Sequence, residues 1–149
     1  MAPRKRRAQV PYVYTSLECL SRASSSRSPR VNVFGIAQNV SVEKENDQVL
    51  VQFMLLDEKS SIRCRVFTEI DDSLQLKVSN GCIVRIHRVQ AKCVQSSEDS
   101  EMILSGRPKT FGLAVVVFLC GPQESPYVLY SSSKNYSINE EDFKRVTFS

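Results

Sequence analysis

One short stretch of the chain alternates apolar residues with cations, as a strand with one buried face does. The two alternating sets are Ile62, Cys64, Val66 and Arg63, Arg65, Phe67. The pattern predicts a strand whose outward face carries two cations and an aromatic ring. An aromatic ring next to two arginines is suited to a flat, anionic ligand lying across that face.

A short helix is predicted directly after this strand. Asp71 or Asp72 can cap its N-terminus, Leu74 and Val78 share one face, and Gly81 follows its end. A second long apolar strand then begins at Cys82. A strand, a short helix and a long strand in this order are typical of the centre of an OB barrel.

The remaining strands complete the prediction. A first strand over 31–42 contains Gly35, which suggests a bulge or a sharp bend that lets the strand serve both halves of a closed barrel. A polar turn at 43–47 leads to a second strand over 48–56, apolar on both faces except for Gln52, and residues 102–120 supply the closing strand or strands. We therefore predict an all-β OB-fold, a Greek-key barrel of five to six strands with a helix between strands 3 and 4.

Outside the barrel, which we place at 11–121, both ends differ in composition. Residues 1–10 hold four consecutive cations, Arg4 to Arg7, which suit a nuclear address, a phosphate-binding arm or simply a disordered basic terminus. The Ser- and Arg-rich residues 21–30 predict a mobile loop. Residues 122–149 are predicted to be a linker and the start of a C-terminal helix, and we expect this helix to lead to a second OB domain in a longer protein.

Composition excludes several classes of function. The 149 residues carry a net charge of +4, which permits a nucleic-acid partner without requiring one. Five cysteines without a C-x-x-C pair, together with one histidine, argue against a zinc site, and no cofactor motif is present. No segment has the length of a membrane span. We expect an intracellular binding domain and not an enzyme, because no catalytic motif stands out and His87 has cationic neighbours.

The cations and the ring of the predicted strands form the candidate binding face. Its members are Phe67, Arg63 and Arg65 on strand 3, Arg85, His87, Arg88 and Lys92 on strand 4, and Arg107 and Lys109 near strand 5. For any single cation, protection of a strand edge against pairing is a sufficient alternative explanation. Strict alternation would send Arg88 into the core with Val84 and Ile86, so we expect either a bulge or a position at the barrel rim.

With these residues in view, the chain resembles the N-terminal OB domain of the protection-of-telomeres family, which holds the single-stranded G-rich overhang at chromosome ends. The segments that carry the resemblance are YVYTSLECL, RVNVFGIAQ, LLDEKSSIRCRVF, NGCIVRIHRVQAK and the tail KNYSINEEDFKRV. The NGCIVRIHRVQAK segment is the most specific of them, through its glycine and its R-x-H-R core.

The resemblance implies a nuclear, telomeric protein that caps chromosome ends and regulates telomerase access. It also implies that Phe67 stacks on a base, that Arg88 contacts the strand, and that a loop near Gln38, Asn39 and Asp47 reads base edges. Where the family has two further stacking aromatics, this chain has Asn39-Val40 and Val94. A telomerase-type RNA, non-specific single strands, or a protein partner such as a telomere bridging protein therefore stay open as alternatives.

Overall fold

The computed structural model describes residues 13–22, 30–72, 74–96, 99–119 and 127–132. The elements found there are α1 (Leu17–Arg22), β1 (Arg30–Glu45), β2 (Gln48–Leu56), β3 (Ser61–Glu69), α2 (Leu74–Lys77), β4 (Ile83–Ser96), β5 (Asp99–Gly106), a 3-10 turn (Thr110–Gly112), β6 (Ala114–Leu119) and β7 (Tyr127–Ser131). The predicted basic arm, most of the loop at 21–30 and the predicted C-terminal helix lie outside the described residues. None of the helices in the described ranges has the length and apolar content needed to span a bilayer.

The strands form one sheet that closes on itself. In order, β1 pairs with β2, β2 with β3, β3 with β5 in parallel, β5 with β4, and β4 again with β1. This ring of five strands confirms the predicted all-β, OB-like barrel. The described strands number seven rather than five or six, because β6 and β7 extend the sheet outward from β4. The residues of β7 belong to the segment that the sequence analysis assigned to a linker.

β1 belongs to both halves of the barrel, as the position of Gly35 suggested. Its first half pairs with β4 and its second half with β2, and the two pairings meet at Ile36. The bulges lie elsewhere, one opposite Val31 to Val33 and one between Gln38 and Ser41. The space around Gly35 explains the glycine, since a Cβ there would lie 2.6 Å from the Leu56 carbonyl oxygen. β1 also runs on to Glu45, which shortens the predicted polar turn to Asn46 and Asp47.

Strict alternation along β2 and β3 fills the barrel. Val49, Val51, Phe53 and Leu55 of β2 are buried, while the residues between them are only half-buried, so β2 is fully covered on one face and not on both. The two short helices add to the same core. Leu17 and Leu20 of α1 pack into it, as do Leu74 at the start of α2 and Val78 just after its end.

Asp72 accepts a hydrogen bond from the backbone N–H of Leu74 at 2.8 Å, which confirms the cap predicted for α2. The other carboxylate oxygen of Asp72 accepts a hydrogen bond from the Tyr130 hydroxyl at 3.2 Å. This hydrogen bond ties β7 to the region of α2 and joins the outer part of the sheet to the barrel.

Candidate nucleic-acid interface

The outward face of β3 is the one that the alternation predicted. Ile62, Cys64 and Val66 are buried, and their neighbours are half-buried on the opposite side of the strand. Phe67 is therefore outside the barrel core. The guanidinium carbon of Arg65 lies 5.7 Å from the centroid of the Phe67 ring, within range of a cation–π interaction.

The pairing register places side chains of five neighbouring strands in rows across this outward face. The first row is Gln38, Met54, Arg63, Ile103 and Lys92, the second is Ser41, Gln52, Arg65, Ser105 and Gln90, and the third is Glu43, Leu50 and Phe67. Each row mixes hydrogen-bonding side chains with cations or apolar groups. Ile103 and Ser105 are buried, and the remaining members offer chemistry suited to phosphates, base edges and base faces.

A cavity of about 220 Å³ lies where this face meets the loop between β5 and β6. The sheet contributes Arg30, Phe67, Gln90 and Lys92 to its lining, and the loop contributes Arg107 and Phe111. The residues come from distant parts of the chain, and the parallel pairing of β3 with β5 brings them together. The cavity therefore combines two rings with three cations.

Arg65 carries a polar atom that this structure leaves unsatisfied. Its Nε is buried and has no hydrogen-bond partner among the described residues. A buried donor without an acceptor costs roughly 1–3 kcal/mol. Arg65 lies in the middle of the second row, and its side chain as a whole is half-buried there.

Two other predicted cations already have partners. Arg63 Nε lies 3.3 Å from a carboxylate oxygen of Glu101 in an exposed ion pair, and Arg107 donates a hydrogen bond to the Gln48 side chain at 2.6 Å. Exposed ion pairs contribute at most about 1 kcal/mol, so a phosphate can compete for Arg63. Lys92, in the first row, and Lys109, in the loop between β5 and β6, are both exposed.

A bulge in β4 places the Arg88 side chain outside the barrel core. Val31 pairs with Val89 but Val33 pairs with Ile86, so β4 has one residue more than β1 at this position. Arg88 has a φ of 60°, and its side chain is exposed. Its Nε donates a hydrogen bond to the Gly112 carbonyl at 2.6 Å, which connects the bulge to the loop between β5 and β6.

Arg85 and His87 do not belong to the basic surface, and this part of the prediction is wrong. Their exposed fractions are 3% and 5%, because β6 and the segment before α1 cover this side of β4. Arg85 lies 5.5 Å from the Phe118 ring centroid, and His87 Nε2 lies 2.8 Å from the Tyr14 hydroxyl. Burial, and then the charges of Arg85 and Arg88, lower the pKa of His87 to about 4.

The predicted reading loop near the first strand is mostly strand. Gln38 lies on the outward face beside Met54, and Asn39 sits at the β1 bulge with a φ of 54° and an exposed side chain. Asp47 is exposed in the two-residue turn between β1 and β2. The three residues therefore occupy a row, a bulge and a turn instead of one loop, since β1 pairs with β2 up to Glu45.

Sequence reasoning missed Phe111, whose ring is 75% exposed and lies under the Arg30 guanidinium at 4.6 Å. The signal that was available is an aromatic residue within the polar segment GRPKTFG. Among the described residues, no three metal-binding side chains lie close enough together to hold an ion.

Comparison with known proteins adds one similarity. No family model matches the chain. The chain is 30% identical over 138 residues to the protein named Protection of telomeres protein 1 of Gallus gallus. The alignment covers 91% of this chain but 16% of that protein, so this chain corresponds to a small part of its relative. The similarity agrees with an OB-like barrel.

Proposed function

We propose that this chain binds single-stranded, G-rich telomeric DNA across the outward face of its five-stranded barrel. The proposal rests on two independent supports, the similarity to a protein named for the protection of telomeres and the chemistry of the face itself. The single observation that carries it is the grouping of Phe67 with Arg65 on the solvent side of β3. This arrangement suits the face of a base and its phosphate.

Affinity in this proposal comes from stacking and from charge. A base stacked on an aromatic side chain contributes roughly 1–3 kcal/mol, and cations along the groove hold the backbone. Phe67 supplies the ring on the sheet, while Arg65, Lys92 and Arg107 supply the charge around it. Sequence preference comes from the hydrogen-bonding groups of the rows, because the edges of unpaired guanine and thymine are open to such groups.

The biological role extends the same proposal. A domain that holds the single-stranded overhang would cap chromosome ends, limit the access of telomerase and reside at telomeres in the nucleus. We propose a binding role without catalysis, since the groups of the face are those of recognition. A telomerase-type RNA and a telomere bridging protein stay predictions from the sequence resemblance.

Fluorescence anisotropy tests the proposal with three labelled oligonucleotides: a G-rich telomeric DNA strand, its RNA counterpart and a scrambled DNA of equal composition. Each is titrated at two salt concentrations. We expect the tightest binding to the telomeric DNA, with a preference that persists at the higher salt. Equal binding to all three that disappears with salt would leave only counterion release, and would contradict the proposed selectivity. Absence of binding would favour a protein-docking role.

A further inference from the structure

Phe111 combines two features that are unfavourable for an unbound protein. Its ring is 75% exposed to solvent, and its backbone has a φ of 52°, a conformation that is an outlier for a bulky residue. Phe111 is not part of the hydrophobic core, so packing does not explain its conformation. Strained backbone conformations are concentrated at ligand-binding positions. A ligand that covers the ring would turn this exposed surface into a contact.

The loop that carries Phe111 is held in place by backbone hydrogen bonds. The N–H of Lys109 donates to the carbonyl of Leu113 at 2.9 Å, and the N–H of Leu113 donates to the carbonyl of Thr110 at 3.0 Å. Leu113 itself is buried in the barrel core. The loop is therefore anchored at its C-terminal end.

Arg88 supports the same loop from β4. Its Nε donates to the Gly112 carbonyl at 2.6 Å, and a Cβ at Gly112 would come within 2.8 Å of that nitrogen. The glycine, whose φ is 77°, thus permits both the turn and the close approach of the guanidinium. The ring of Phe111 is presented on a fixed support, which lowers the ordering cost of binding.

The position of Phe111 connects it with the proposed DNA-binding face. It lines the same cavity as Phe67 and Lys92. Arg30, which follows Gln90 in the second row, places its guanidinium 4.6 Å from the Phe111 ring centroid and covers one side of the ring. Because Phe111 nevertheless stays 75% exposed as a residue, the other side of its ring is available to a flat ligand.

We propose that Phe111, with Arg30 behind its ring, is a second base-stacking platform. One nucleobase of the bound strand stacks on Phe111, while a neighbouring region of the same strand stacks on Phe67. The inference rests on the proposed function and extends it. The protection-of-telomeres family, which the sequence resembles, has stacking aromatics at the positions of Asn39-Val40 and Val94 in this chain. Phe111 would supply a ring that these positions lack. A cation behind the ring and a base in front of it form a layered arrangement of cation, ring and base.

Because the chain contains no tryptophan, a single Phe111→Trp substitution introduces a unique fluorophore at the platform. We expect Phe111→Trp to bind the telomeric strand as tightly as the natural protein, and its fluorescence to be quenched when a base stacks on the indole. Leu119→Trp is the matched control, since this exposed residue of β6 pairs near the Ile83 end of β4, far from Lys92. Its fluorescence should stay unchanged.

Phe111→Asn removes the ring and keeps a residue that tolerates a positive φ. We expect binding to weaken by about 5- to 150-fold, the range that corresponds to one stacked base at tenfold per 1.4 kcal/mol. Thermal unfolding of the variant should match or exceed that of the natural chain, because no core contact is lost.

The outcomes separate this inference from the proposed function. If Phe67→Ala weakens binding while Phe111→Asn does not, or if Phe111→Trp shows no quenching on bound DNA, the second platform is overturned and the function stands. If the natural chain binds no single strand, both proposals fail. If Phe111→Asn does not fold, quenching of Phe111→Trp against the Leu119→Trp control decides the matter.

Discussion

At the scale of single residues, the two phenylalanines of β2 and β3 show how strand parity assigns different roles to one residue type. Phe53 of β2 faces inward and is 2% exposed, so its ring is part of the barrel core. Phe67 of β3 faces outward beside Arg65 and lines a cavity. The first residue contributes to folding and the second is positioned for a ligand, although both are aromatic residues in adjacent strands.

We predict that Phe67→Ala weakens binding of a telomeric single strand by about 1–3 kcal/mol and leaves the fold intact, because one stacked base is lost and no core atom is removed. Anisotropy titrations measure the affinity, and urea unfolding measures the stability. The matched control is Phe53→Ala, which should cost about 3–5 kcal/mol of stability through the cavity it leaves. A Phe67→Ala variant that loses comparable stability, with unchanged affinity per folded molecule, would place the ring in the core.

His87 gives a prediction for the pH dependence of stability. The pKa of His87 is about 4 in the folded chain and near 6.5 when unfolded, because the folded chain buries the ring near two arginines. Between these values the unfolded chain binds more protons, so the stability falls as the pH is lowered from about 6.5 to about 4. Urea unfolding of the natural chain and of His87→Gln should show a smaller decrease for the variant. Equal decreases would contradict the burial of the neutral ring.

At the scale of elements, β4 has two different environments joined by one bulge. Before the bulge, Arg85 is buried against the Phe118 ring of β6, and His87 is buried against Tyr14. After it, Gln90 and Lys92 face outward in the rows of the proposed interface. The inserted residue shifts the alternation by one position, so Val89 faces the core and Lys92 faces outward. Arg85 and His87 are buried for a different reason, because side chains of other segments contact them.

We predict that Arg88→Val destabilises the chain by roughly 1–2 kcal/mol more than Arg88→Asn. Both variants lose the hydrogen bond to Gly112, but a β-branched residue is strained at a φ of 60°, where asparagine is tolerated. The two free energies of unfolding from urea titrations supply the comparison. Equal destabilisation by the two substitutions would mean that the bulge does not require the left-handed conformation.

At the scale of the whole molecule, the distribution of the charges is more informative about a binding surface than the net charge of +4. Arg63, Arg65, Arg107 and Lys92 meet on one surface through the rows and the cavity. Glu43 and Glu101 lie at the margins of that surface. The cations of this surface therefore lie on β3, on β4 and in the loop after β5.

We predict that Lys92→Gln reduces the salt dependence of binding, lowering the slope of log K against log salt concentration by about 0.7, the value for one phosphate contact with a single strand. The measurement is a series of anisotropy titrations between low and physiological salt. Lys77→Gln, an exposed cation on α2, is the charge-matched control and should leave the slope unchanged. Equal slopes for both variants and the natural chain would exclude Lys92 from the path of the backbone.

Features of the site that depend on residues close together in the sequence were predictable, and features that depend on distant residues were not. The outward position of Phe67 and the Asp72 cap followed from the sequence, because strand alternation and helix capping are set by neighbouring residues. The closed barrel also followed from the order of the elements. Arg85 and His87 were misplaced because β6, which covers them, pairs with β4 from about 30 residues further along the chain.

The sequence by itself determined the class of fold, the face of each regular strand and the composition of a ring-and-cation surface, since each is encoded in a local period. Only the tertiary structure decided which cations reach that surface and which are buried. It also decided that Arg88 turns outward and that Phe111 lines the same cavity as Phe67. These outcomes depend on bulges and on pairing between strands that are distant in the sequence. Their free energies come from many contacts between such distant residues, which a local sequence pattern does not reveal.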